Sequence, residues 1–304
     1  MRRIALADRK ALALALLLIA CPVASPGAAS QFDPARVRWA SLEFSASRFM
    51  FTARTSIAAQ LVPAGTIVTQ LRTTPTGQPV MPGAEVVDLV YAMSGFGRES
   101  RTELWLDPVT GGTLQRTQHD TGSRPRLRTY RFTDRGAFHF TRWPATRSEE
   151  ALTPEHWTHV EQGMRPYVPG GIDQPVTEPT ALLWLIAAAD LARPGERMEV
   201  LAFSRRQVSR VDIEVTGQRT VALNFMEEGP AGSRRRDGRM PALILRLAAN
   251  PLDAAAEEQD FELFGLHGDL ELLLDPQTRA PLELSGRVRI AGQVTVRLNR
   301  LVLR

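Results

Sequence analysis

The densest run of residues able to do chemistry is Glu155-His156-Trp157-Thr158-His159-Val160-Glu161. Positions three apart share a helix face, so on a helix His156 and His159 could offer two imidazoles to one zinc ion. Catalytic zinc helices space the pair by four around an internal Glu, and no third ligand is evident. The competing reading is a surface helix with incidental histidines, packed through Trp157. The acidic pairs Glu149-Glu150, Glu227-Glu228 and Glu257-Glu258 supply the carboxylates a glycoside hydrolase needs, but each stands beside a turn. A catalytic pair would have to be assembled in space. His119, His139 and His267 lie without a neighbouring Ser or Asp motif. There is no G-x-S-x-G elbow and no dinucleotide fingerprint, since SGFGRES (94–100) lacks the third glycine.

One Asp occurs in a duplicated setting: LWLDPVTGGTL (104–114) and LLLDPQTRAPL (272–282). A repeated metal carboxylate would need His or carboxylate partners at matching offsets, and the two copies share none. Asp as a turn acceptor, Pro with its fixed φ at the next position and Thr bonding the backbone account for the repeat as two strand-ending turns.

The chain opens with Arg2, Arg3, Arg9 and Lys10, continues through ALALALLLIA (11–20) and breaks into CPVASPGAAS (21–30). That layout is a secretory signal, too short to span a bilayer. Two processing routes fit it. Cleavage after Ala29 or Ser30 removes residues 1–30, whereas Leu18-Ile19-Ala20-Cys21 resembles a lipobox that would remove residues 1–20 and lipidate Cys21. Either way the expected address is outside the cytoplasm, in the periplasm, with a membrane reached only through such a lipid anchor. Losing 1–30 takes four of the 37 basic residues and one of the 33 acids, leaving 33 against 32. A balance of +1 gives no basic stripe for nucleic acid, and Arg234-Arg235-Arg236 reads as a solvated loop. The only lysine, Lys10, and the only cysteine, Cys21, are at the processed end, so Schiff-base, thiol and disulfide chemistry are excluded from the mature chain. No cofactor or metal is expected.

The elements around these residues are mostly strands. RVRIAGQVTVRLNRLVLR (287–304) alternates apolar and polar residues, as does the run from Asp269 to Leu284; strict alternation marks a strand dry on one face and typical of antiparallel sheets. Similar runs cover 37–59, 86–93, 101–106, 113–119, 126–132, 137–143, 198–204, 209–215, 220–226 and 242–247. Parity reverses near Ser47-Arg48 and again between Leu298 and Leu301, which implies bulges in a bent sheet. Two helices are expected, near 153–163 behind Thr153-Pro154 and near 178–193 behind Thr177-Glu178-Pro179. From Ala181 to Ala189 the second has no polar residue, so it must be buried, and at roughly 24 Å it is too short to span a membrane. The expected fold is therefore mainly β: one domain over 37–304, a large curved antiparallel sheet (a half-barrel or open barrel) with this helix and one further helix plugging its concave face. Phe44, Phe49, Phe51, Tyr130, Phe132, Phe138, Phe140, Trp143 and Trp184 are candidates for its apolar interior or rim, as ligand contacts or as ordinary core.

The signal segment, the meander of long strands, the paired LxLDPxT turns, the apolar helix between strand groups and the closing GLHGDLELLLDPQTRAPLELSGRVRIAGQVTVRL resemble an uncharacterised family of exported bacterial proteins. That family is similar in fold to the periplasmic lipoprotein-localisation carriers, half-barrels that hold acyl chains under helical lids. The likeness covers Ser41 to Arg304 by pattern and carries over no ligand-contacting residue; the segments 63–83 and 228–241 depart from a minimal half-barrel. It implies a non-enzymatic carrier for an apolar small molecule, acyl chain or lipid. The alternatives are a fully packed structural protein that meets an envelope protein partner, and an envelope hydrolase using His156/His159 or a carboxylate pair.

Overall fold

The computed structural model describes residues 31–48, 51–95, 98–168, 172–204, 207–253, 261–288 and 292–304. Residues 1–30, with the expected signal segment and Cys21, lie outside the described residues. Fifteen strands form a single sheet. The first eight are β1 (Trp39–Arg48), β2 (Phe51–Pro63), β3 (Glu85–Gly95), β4 (Arg98–Leu106), β5 (Thr113–Gly122), β6 (Arg126–Phe132), β7 (Gly136–Trp143) and β8 (His159–Pro166). After β9 (Val176–Thr177) and the helix α1 (Leu182–Ala188) come β10 (Arg197–Ser204), β11 (Gln207–Gly229), β12 (Gly232–Pro251), β13 (His267–Leu274), β14 (Pro281–Val288) and β15 (Gly292–Leu303). Neighbours run from β8 down to β1, then β15 down to β9. Pairing is antiparallel apart from two short parallel patches, β9 on β10 and β11 on β15.

The second patch closes part of the sheet. An unpaired Thr216 bends β11 between Val215 and Gly217, and the outer half of the long β11–β12 hairpin swings across so that Met226–Glu228 pair with Arg300–Val302. Strands β11 to β15 thus form a ring of hydrogen-bonded neighbours, while β2 to β8 remain an open wing. Leu223 and Phe225 from the crossing arm join Leu243, Leu245, Leu272, Leu284 and Leu298 in the main core.

The alternating pattern sets which face is dry, and α1 occupies that inner face with every residue from Leu182 to Ala188 buried. Asp33 bonds through its N–H to the Ala188 carbonyl, strapping the N-terminal segment across the helix end. Around 300 the expected bulge is present, where Glu43 pairs with Arg300 but Phe44 with Leu298.

Four expectations need correction. The parity change near Ser47-Arg48 is a hairpin: Arg48 pairs with Phe51, so one long strand becomes β1 and β2. No helix covers 153–163. A single 3-10 turn, Pro154–His156, is followed by β8, because Val160 to Arg165 find a partner strand in β7 and tertiary pairing overrides a good N-terminal helix signal. The apolar helix is shorter than 178–193, with a 3-10 turn over Pro179–Ala181 before α1 and extended backbone from Ala189. Finally, Arg234-Arg235-Arg236 lie in β12 rather than in a loop, with Arg234 and Arg236 both paired to the buried Glu227.

The outer face is largely wet but covered in one place. The 64–84 connection packs Ile67 against Val86, Trp105 and Leu114. It is pinned by buried Arg131, whose guanidinium donates to the Leu114 carbonyl at 2.6 Å and the Val80 carbonyl at 2.7 Å.

Candidate functional site

The duplicated Asp residues are backbone devices. In the first turn Asp107 Oδ1 accepts from the N–H groups of Val109 and Thr110 at 3.0 and 2.7 Å, and from the Thr110 hydroxyl. In the second, Asp275 accepts from the Gln277 N–H at 2.9 Å and the Thr278 hydroxyl at 2.7 Å. The same backbone bonds recur, from residue Asp+4 to the Asp carbonyl and from the Asp N–H to the carbonyl of Asp+5. Both residues at Asp+4 take positive φ, Gly111 at 72° and Arg279 at 60°.

That shared geometry serves α1. An added Cβ on Gly111 would meet the Phe32 ring at 2.7 Å and Leu185 Cδ2 at 2.9 Å, so the first turn presses directly on the helix. The second reaches it with a side chain: Arg279, buried, donates to the carbonyls of Ile186, Ala187, Ala189 and Leu191 at 2.6–3.2 Å. Ile186 and Ala187 stand in the last turn of α1, where a helix end leaves carbonyls without intrahelical partners, and a cation there is also favoured by the helix dipole. Burial, opposed in part by Asp190, Glu196 and Asp275, holds this guanidinium below its ordinary pKa.

A hollow of about 460 Å³ adjoins the first turn, between Phe32, Thr110, Leu185 and Met198, and a second, lined by aromatic side chains, opens on the inner face of the wing. A groove of about 340 Å³ runs over β3, β5 and β6, between Tyr91, Met93, Tyr130 and Phe132 on one side and Thr180, Phe203 and Phe264 on the other. Tyr130 and Phe132 belong to a second apolar cluster with Tyr167 and Phe203. Burial pushes the Tyr91 phenol up to about 12, against a hydrogen bond with Thr55. Arg116 and Arg165 lie over the Tyr130 ring at 5.7 and 5.5 Å, and Arg116 is 3.3 Å from the buried carboxylate of Glu178. Toward the far rim the floor becomes polar. Ser100 and Gln118 donate to Asp120 at 2.7 Å each, and Arg128 pairs with it. Burial alone would raise the Asp120 carboxyl, but Arg128 and these hydrogen bonds outweigh it and hold it below the usual carboxylate range.

Phe264 is the unusual member. Leu263 and Leu266 exchange both backbone hydrogen bonds around Phe264 and Gly265, which take φ of 55° and 76°. That is a two-residue turn with both central residues left-handed, a position that favours Asn or Gly and strains a bulky side chain. The strained backbone lays the Phe264 ring on Tyr91, with centroids 5.1 Å apart and planes at 11°.

The nine aromatic candidates separate by face. Phe44 is on the inner face, 6.5 Å from Phe264; Tyr130 and Phe132 line the groove; Trp143, at the rim, stacks on His159 at 4.1 Å. Trp184 is wholly inside the core, and its indole N–H finds no partner among the described residues. Phe138 and Phe140 correct the expectation. Tyr130 faces His139 and Phe132 faces Ala137, which sends both phenylalanines to the outer face, where Arg72 lies 3.5 Å over the Phe140 ring. Phe49 lies outside the described residues, as does the side chain of Phe51. Tyr91, Phe203 and Phe264 were missed from sequence; only the Phe-Gly pair between two leucines hinted at a turn.

The hydrolase residues are not brought together. His156 bonds to the Thr153 hydroxyl at 3.0 Å while His159 stacks on Trp143. Glu149 accepts from Ala145 and Thr158, which hold its carboxyl below the usual range, and Glu228 is bonded to Arg300 at 2.8 Å. Glu257-Glu258 lie outside the described residues. Among the described residues no group of three or more His, Cys, Asp or Glu side chains could hold a metal, and no helix is long and apolar enough to cross a membrane. Compared with protein-family models, with curated proteins and with solved structures, the chain matches none.

Proposed function

We propose that this is an exported envelope protein that binds an apolar or lipid-like ligand in the inner-face groove of the wing. One observation carries the reading: an aromatic groove stays open beside the filled core around α1, and Phe264 is held against its backbone preference to line it. Strain of that kind costs about 1–3 kcal/mol and gathers at functional positions. The ligand's apolar part lies between Tyr91, Phe132, Phe203 and Phe264, gaining roughly 25 cal/mol for each Å² removed from water. At about 340 Å³ the groove is near the small end of ligand sites, which span about 300–1,000 Å³. It suits a single chain or ring system rather than a multiply acylated lipid. The basic, then apolar, then small-residue N-terminus supports a periplasmic address, and the pattern likeness to half-barrel carriers supports the same reading.

A second reading is favoured by the ring of β11 to β15, whose inner face is packed with leucine and valine side chains and which suits a scaffold that meets an envelope partner. Native mass spectrometry of protein from a periplasmic fraction, with titration of a fluorescent fatty acid, separates the two. The carrier reading expects a co-purifying apolar species and saturable binding. Phe264→Asn then weakens binding at least tenfold with little change in the thermal midpoint, because relief of about 1 kcal/mol of strain offsets a stacking loss of about 1 kcal/mol. An empty protein without saturable binding, or a Phe264→Asn variant that binds as before, rejects the carrier.

A further inference from the structure

Arginine is almost the sole cation of this chain, and in the ring-forming half most arginines are neutralised across strands. Arg197 pairs with Glu214, Arg210 with Glu199, Arg219 with Glu271, Arg246 with Asp269 and Arg297 with Glu283, at 2.8–3.1 Å. Arg300 bridges Glu43 and Glu228. The rim opposite the two Asp-Pro turns breaks that pattern. The register places the β1–β2, β3–β4, β5–β6 and β14–β15 hairpin ends side by side there. Along this stretch Arg54, Arg101, Arg124, Arg126 and Arg287 are exposed, and none has an ion-pair partner among the described residues. The exposed acid among them is Glu99; the exposed Glu150 and Glu155 and the half-buried Glu149 stand further along the rim, on the β7–β8 connection.

Two further features meet at the same rim. The groove opens there, past Met93, which is 40% exposed, and Gly265. On the outer face a trough of about 630 Å³ is lined by Arg54, Ser56, Ser94, Arg101, His119 and Thr121. Two acids also line it: Glu43, which is bonded to Arg300 at 2.7 Å, and the exposed Glu99, against the cations Arg54 and Arg101. Guanidinium forks and hydroxyl donors around a shallow trough match phosphate oxygens, which arginine binds in paired hydrogen bonds.

We propose that this rim docks on the anionic phosphate surface of a phospholipid bilayer, presenting the groove mouth to the lipid. The proposal rests on the lipid-like reading of the groove but is tested apart from it. Surface arginines without ion pairs give up no salt bridge on docking, and each basic residue held near an anionic surface is worth about fivefold in affinity. The attraction decays within about 10 Å at moderate salt, so it acts only on a surface that reaches the rim itself.

The test is co-sedimentation of the mature chain with vesicles of phosphatidylcholine alone or mixed with phosphatidylglycerol, over a salt series. Binding is expected to the mixed vesicles, falling with salt, and at least tenfold weaker for the combined variant Arg54→Gln, Arg101→Gln, Arg124→Gln and Arg126→Gln. Arg135→Gln with Arg193→Gln, away from the docking rim, should bind as the parent does. No binding, equal binding to the neutral vesicles, or an unaffected rim variant overturns the proposal. If the rim variant does not fold, the salt dependence of the parent chain decides alone. Fatty-acid titration without vesicles should give the same affinity for the rim variant and the parent. Loss of that binding in the parent, with docking intact, removes only the groove reading.

Discussion

The ring of β11 to β15 and the open wing of β2 to β8 are written in the same alternating pattern, yet they end in different physical states. The ring closes on itself, fills its inner face with leucine and valine, and matches most of its outer arginines to acids across strands, Arg287 at its hairpin end excepted. The wing has aromatic and polar residues on its inner face, an open groove and arginines without partners. Closure explains much of the difference. In the ring, facing strands enclose a common core, whereas the wing's inner face is met by α1 and by the segments bearing Phe203 and Phe264. The repeated turn shows the same contrast on a smaller scale, since the wing's copy meets α1 with a glycine and the ring's copy with a buried arginine.

The contrast breaks most severely at the plug. Trp184→Ala should cost about 4 kcal/mol, the range for removing a large buried aromatic, read as a lower midpoint in urea. Because α1 touches both turns, a single transition should persist; two separated transitions would mean that ring and wing fold independently. Trp184→Phe sharpens the point. It keeps most of the volume and removes an indole N–H that has no partner among the described residues, so its cost should be much smaller. The two turns come next. Arg279→Met leaves helix-end carbonyls unpaired in a dry site and should cost about 3 kcal/mol, whereas Gly111→Ala adds a left-handed Ala and a contact with Phe32 and should cost about 2 kcal/mol. Equal and negligible losses would show that the turns do not hold the helix.

The ring was more legible in the sequence than the wing, for a physical reason. Strands with one wet face, such as β14 and β15, announce their orientation by alternation, and the mainly β fold with a buried apolar helix follows from that. In β6 and β7 both faces are covered, one by Phe203 and Tyr167 and the other by the 64–84 connection, so alternation cannot say which way Phe138 and Phe140 point. The β1–β2 hairpin carried no Gly or Asn at its turn and looked like one bent strand. Glu155 to Glu161 looked helical because capping is a local signal, and β7 is a non-local partner. The groove was least legible of all, since Tyr91, Phe203 and Phe264 come from distant parts of the chain, and what makes Phe264 notable is a backbone angle.

The smallest expected effect concerns two carboxyls on facing strands of the wing. Asp120, on the inner face, is surrounded by donors and held low, so it adds stability that is present above its unfolded pKa and lost as pH falls through the folded value. Glu103, on the outer face, is raised by burial and then by the neighbouring Asp88, with partial relief from Arg101. Its sign is opposite: the folded chain holds the proton more tightly than the unfolded one, so stability falls as pH rises from the unfolded to the folded pKa, and the penalty persists at neutral pH. Glu103→Gln should therefore raise the thermal midpoint slightly at pH 7 and leave it nearly unchanged well below the carboxylate range. Asp120→Asn should lower it at pH 7, with the difference vanishing in acid. Melting curves of the two variants across pH that moved in the same direction would show that the wing's faces do not differ as the donors around them imply.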